Sequence, residues 1–91
     1  PAASRVSIAT IFFERQRLAT ALRALPAVRH VWPSDANYLL VEVADSAKAM
    51  SAGRAAGVVW RDRSKDVPHH IRITVGTAEE NNATLEVLSR V

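Results

Sequence analysis

Cysteine is absent from the 91 residues. That excludes a disulfide framework and a thiolate nucleophile, and it fits a reducing, cytoplasmic setting. Aromatic residues make up only 5% of the chain, thin for the stacking platforms that bind single-stranded nucleic acid. The sequence contains neither G-x-G-x-x-G nor G-x-x-x-x-G-K, so no phosphate-cradling loop of those kinds is written in it. A G-x-S-x-G nucleophile elbow is also missing. No apolar run approaches the roughly 18 residues that a membrane-crossing helix requires. Repeats, low-complexity tracts and flexible linkers are lacking too. What remains is 48% hydrophobic and 23% charged, the balance of one folded globular domain with too much apolar content for disorder. The chain begins at Pro1, with no initiating methionine and no signal-peptide pattern, as expected of a processed chain, an engineered one or a piece of something longer.

Twelve Lys and Arg stand against nine Asp and Glu, a formal net charge of +3. Most of the cations are arginines scattered among acids. A nucleic-acid interface would call for a basic cluster, so that class is disfavoured. Arginine binds carboxylate and phosphate through two parallel hydrogen bonds, so small anions suit this composition equally well. Most of these residues are ordinary solvated surface.

The pattern predicts the element order α-β-β-α-β-β-α. Ile8, Ile11, Leu18, Leu22 and Leu25 lie on one helical face over Arg5–Leu25, interrupted at Glu14 and Arg15, and Pro26 ends that helix. Phe12 and Phe13 lie beside the stripe and give the helix a second apolar edge. Val28–Trp32 and Asn37–Val43 read as adjacent antiparallel strands around a Pro33–Ser34–Asp35 turn. In the second strand Leu39, Val41 and Val43 face the core, and Tyr38, Leu40 and Glu42 face away. Asp45 or Ser46 caps a helix over Ala47–Ala56, which Gly57 stops. Gly53 inside it lowers helix propensity by roughly 1 kcal/mol relative to alanine. Val58–Arg61 is a short strand, Asp62–His70 a polar loop, and Ile71–Val75 a strand with Arg72 and Thr74 on its outward face. Thr77 and Glu80 form a T-x-x-E capping box for a final helix to about Arg90. Amphipathic helices in this order pack on one face of a small, mainly antiparallel sheet, an α+β fold.

Arg72 is the most informative position. Ile71, Ile73 and Val75 face inward, so the intervening guanidinium is placed on the opposite sheet face. Arg61 closes the neighbouring strand, so the two forks can converge on one anion; the plainer alternative is two solvated arginines. Metal binding has little support. His69 and His70 are adjacent and diverge in extended chain, and no His pair has helical i,i+4 spacing. The three histidines are expected to be exposed loop residues. Trp32, Tyr38 and Trp60 are expected in the core or an interface, and Lys65 at the surface of a charged loop.

Taken in order, the segments ERQRLATAL, WPSDANYLLVEV, AAGVVWRDRSKD and IRITVGTAEEN resemble the C-terminal small domain of histidinol-phosphate aminotransferase, of the class I/II pyridoxal-phosphate-dependent fold. The resemblance covers Glu14 to the end of the chain. It implies a parent of several hundred residues, a homodimer, whose large domain carries pyridoxal phosphate and its lysine. This piece, residues 1–91, would comprise a connector helix over 1–25 and an α+β core over 26–91. No cofactor is expected on it, and it should be inactive alone.

By the same resemblance Arg72 matches the arginine of the R-I-T-V-G motif and Arg61 that of the R-D motif. They would bind the substrate anions: the phosphate of histidinol phosphate, and the carboxylates of glutamate or 2-oxoglutarate. Asn37 would support the turn. The absent large domain is the main departure, and two more lie within the matched segments. The loop between the arginines is shorter than usual and lacks its glycine. Gly53 occupies a position where the family often has a large aliphatic residue, so loose packing is expected there. The alternatives are the small domain of a related aminotransferase, acting on aromatic amino acids or another amino-acid phosphate, and a stand-alone α+β ligand-binding module.

Overall fold

A computed structural model describes residues 7–91 of the chain. The part of the first helix expected at Arg5 and Val6 lies outside the described residues. Helix α1 spans Ile8–Arg23, capped by Ser7, whose hydroxyl accepts from the Thr10 amide at 3.1 Å. Its inner face buries Leu18, Ala19 and Leu22, while Ile8, Phe12 and Phe13 stay exposed.

Strands β1 (Val28–Val31) and β2 (Tyr38–Val43) follow, then α2 (Ser46–Ala56), β3 (Trp60–Asp62), β4 (His70–Thr74) and α3 (Ala78–Ser89). The observed order is therefore the expected α-β-β-α-β-β-α. The four strands make one antiparallel sheet in the order β1-β2-β4-β3. Alternation sets its two faces. Leu39, Val41, Val43, Ile71, Ile73 and Val75 are buried against Leu18, Leu22, Ala49, Met50 and Leu88 from the helices. In β1 the register slips between Val28 and His30, which pair with Val43 and Glu42. This bulge leaves Arg29 as the extra residue, so Val28 and Val31 both reach the core although they are three apart.

Three local expectations change. The third strand starts at Trp60 because Val58 is used in the helix stop: Gly57 sits at φ 75° and the Val58 amide donates to the Gly53 carbonyl at 3.1 Å. That bond is the 6→1 closure of a Schellman turn. His70 belongs to β4 and is buried; it pairs with Glu42, and its carbonyl accepts from the Arg63 amide at 3.0 Å. Gly53 does not mark loose packing. A β-carbon there would stand 2.5 Å from Cε3 of Trp60, whose indole fills the space. The indole N–H donates to Thr84 Oγ1 at 3.2 Å, which ties β3 to α3.

The charged interruption in α1 also has a purpose. Glu14, 4% exposed, accepts from Arg17 through both carboxylate oxygens, at 2.7 and 3.0 Å. It also accepts from Asn81 Nδ2 at 2.9 Å. Asn81 in turn brackets Gly76, donating to its carbonyl at 3.0 Å and accepting its amide at 2.9 Å. One buried network thus joins α1, α3 and the turn after β4.

Candidate functional site on the open sheet face

The helices cover one side of the sheet. The other side carries the residues that alternate outward: Tyr38, Leu40 and Glu42 from β2, Arg72 and Thr74 from β4, and Arg61 from β3. Arg61 and Arg72 are direct cross-strand partners. The bonds from the Thr74 amide to the Val59 carbonyl at 3.3 Å, and from the Arg63 amide to the His70 carbonyl at 3.0 Å, bracket that pair in the ladder. Side chains opposite each other in this way start about 5 Å apart at their β-carbons and leave the sheet on the same side. The shortened loop between the arginines therefore does not separate them. Asp62 and Ser64 shape its start, the Asp62 carboxylate accepting the Ser64 amide at 2.9 Å. His69 then turns the chain at φ 68°, a left-handed conformation that histidine adopts more readily than most residues.

The pair is not neutralised from within. The ion pairs among the described residues engage Arg17, Arg63 and Arg90, and none involves Arg61 or Arg72. The Arg72 guanidinium lies over the Tyr38 ring, 4.9 Å from its centroid, within the range of a cation–π contact. Its Nε is buried without a hydrogen-bond partner. Like charges directly opposite on a sheet repel, and a buried N–H left unpaired costs about 1–3 kcal/mol. An anion bridging the two forks would relieve the repulsion.

Next to Arg72, on the side of its neighbours Tyr38 and Leu40, an open depression of about 560 Å³ is lined by Trp32, Pro33, Asp35, Tyr38 and Leu40 and by neither arginine. Its floor is set by the turn between β1 and β2. There Ser34 Oγ donates to the Tyr38 carbonyl at 2.7 Å and accepts the Ala36 amide at 3.0 Å, and Arg15 of α1 donates to the Ala36 carbonyl at 2.9 Å. Asn37 contributes its carbonyl, which accepts the Val75 amide at 2.8 Å.

Trp60 is the core aromatic that was expected, whereas Trp32 and Tyr38 are partly exposed on the open face. Alternation in β2 already put Tyr38 on the side of Arg72. What it lacked was the register, Leu40 against Arg72, which sets the ring beneath the guanidinium. Among the described residues no group of three His, Cys, Asp or Glu side chains is placed to hold a metal. The two lysines, Lys48 on α2 and Lys65 in the loop, are both exposed. A Schiff-base lysine is desolvated, and neither of these two is buried.

A comparison with protein-family models gives no match. Among curated sequences, the chain is 45% identical over 84 residues to histidinol-phosphate aminotransferase of Stenotrophomonas maltophilia, an alignment covering 90% of this chain and 23% of that protein. Among solved structures, one from Burkholderia pseudomallei, provisionally described as an aminotransferase, superposes with a TM-score of 0.81 at 37% identity, over 91% of this chain and 26% of the other. A decarboxylase from Sulfurospirillum multivorans gives 0.70 at 28% identity, over 86% and 24%.

By fold and sequence together, this is a small α+β domain similar to part of the aminotransferases it matches. It spans about a quarter of the length of the curated relatives it matches. Among aminotransferases, its resemblance is to the C-terminal small domain of histidinol-phosphate aminotransferase, and the matches bear that resemblance out.

Proposed function

We propose that this chain is the substrate-anion-binding small domain of a pyridoxal-phosphate-dependent aminotransferase, acting between histidinol phosphate and 2-oxoglutarate in histidine biosynthesis. The supporting observation is the cross-strand pair Arg61 and Arg72 on the open face, which forms no ion pair among the described residues. Each fork offers paired donors to a phosphate or carboxylate, so one pair can serve both the phosphorylated donor and the dicarboxylate acceptor. In the proposed parent, a cytoplasmic homodimer, the large domain supplies the cofactor, whose chemistry is to stabilise the carbanion formed at the amino carbon. Residues 1–25 would connect to that domain, and residues 26–91 would orient the substrate by its acidic end. Fixing that end contributes through positioning. Neither lysine suits the cofactor, so the isolated chain should be inactive.

The test is Arg72→Ala in the full-length parent, assayed on both substrates. Leaving an anion without its buried partner costs roughly 2–5 kcal/mol. The expected result is therefore a fall in kcat/KM of about 30-fold to several thousand-fold for each substrate. Unchanged constants would remove Arg72 from the site. A second reading keeps the fold and changes the chemistry: a related enzyme acting on aromatic amino acids or another amino-acid phosphate, or a stand-alone ligand-binding module. The resemblance to a decarboxylase is the observation that favours a change of chemistry on this fold. Assaying the parent on both kinds of amino donor separates the two enzyme readings, and the reading frame upstream of Pro1 decides between them and the stand-alone module.

A further inference from the structure

The open face holds a contact that the anion reading does not use. Its cross-strand row runs Trp32, Leu40, Arg72, Arg61: the Trp32 amide donates to the Leu40 carbonyl at 3.0 Å, Leu40 pairs with Arg72, and Arg72 with Arg61. Strands lie about 4.8 Å apart, so the Trp32 backbone stands roughly 10 Å from that of Arg72, and its indole reaches back across β2 towards β4. Trp32 is 46% exposed, and packing alone leaves such a ring free to change rotamer.

Its indole N–H, however, donates to Nε2 of His70 at 3.0 Å, and His30 abuts the indole edge-on at 4.5 Å between centroids. An indole N–H only donates, so His70 Nε2 must carry the lone pair. Nδ1 then carries the proton and donates to the Pro68 carbonyl at 2.8 Å. Both ring nitrogens are engaged, and the residue is 5% exposed. The turn at His69 returns the Pro68 carbonyl to the ring and is itself anchored, its carbonyl accepting the Val43 amide at 2.9 Å.

We infer that His70 is a positioning residue: as a neutral acceptor it holds Trp32 as the apolar wall of the depression beside Arg72, so that the site takes anions bearing a flat or apolar body. This rests on the anion-site reading and adds the part of the ligand that the arginines do not touch.

The test uses the 91-residue chain labelled with ¹⁵N and two probes, inorganic phosphate and phenyl phosphate. Trp32→Phe assigns the Trp32 indole resonance. His70→Phe keeps the ring volume without an acceptor and should move that resonance to the position of a solvated indole. His70→Gln offers a carboxamide oxygen near the place of Nε2 and should restore it. Wild type should bind phenyl phosphate about tenfold more tightly than inorganic phosphate, the value of partly burying one ring. In His70→Phe that ratio should fall towards one, and Trp32→Ala, at an exposed site, should do the same without depending on how His70→Phe folds. An unmoved indole resonance in His70→Phe, or an undiminished ratio in either variant, overturns the inference. Should neither probe perturb Arg61 and Arg72 in wild type, the anion-site reading itself fails, and the wall falls with it.

Discussion

Glu14 shows how much one charged residue does when it is buried. The hydrogen bonds from Arg17 hold its carboxyl below the usual carboxylate range, burial pushes the other way, and the bond from Asn81 adds to the lowering. A carboxyl whose folded-state pKa is depressed stabilises the fold fully above its unfolded value. The contribution is lost as pH falls through the folded value. Urea midpoints measured from neutral pH into the acid range should therefore decline less steeply for Glu14→Gln than for wild type. At neutral pH, Glu14→Ala should cost about 1–3 kcal/mol, because Asn81 and Arg17 lose their acceptor. An unchanged midpoint would show the network to be dispensable. In the sequence Glu14 reads only as a break in an apolar stripe. Its partner Asn81 lies 67 residues away, and no periodicity connects them.

At the scale of elements, the helix ends follow local chemistry and the helix interiors follow packing. Asp45 caps α2 by accepting the Lys48 amide at 3.0 Å, Gly57 stops it, and Thr77 with Glu80 completes both halves of the capping box on α3. These are short-range interactions, and the sequence states them outright. Gly53 is the contrary case. Local propensity favours alanine there by roughly 1 kcal/mol, but the Trp60 ring occupies the space a methyl group would need. Overpacking a filled core costs about 1–3 kcal/mol, and the bond to Thr84 restrains the indole from retreating. Gly53→Ala should thus lower stability by up to about 2 kcal/mol, read from the urea midpoint. A more stable variant would mean the ring moves aside freely. The strand boundaries slipped for a related reason: Val58 has strand composition, yet its amide closes the turn after α2.

At the scale of the whole molecule, Ile8, Phe12 and Phe13 are 88%, 54% and 64% exposed on the outer side of α1, beside a core that buries Leu18 and Leu22 completely. Grouped apolar side chains of this size favour association. The chain should form concentration-dependent oligomers by light scattering, and replacing Phe12 and Phe13 together with serine should shift it towards monomer. A wild-type chain that stays monomeric at high concentration would count against an interface on that face.

The α+β class, the order of the elements and the outward direction of Arg72 were legible in the residues themselves. Alternation, caps and turn chemistry act within a few positions of the chain, and composition records them. The meeting of Arg61 with Arg72, the tyrosine under the guanidinium, and the histidine that holds Trp32 were decided by strand register. Register is set by how the sheet and helices close around a shared core. Residues far apart in the chain become neighbours only when that closure is complete.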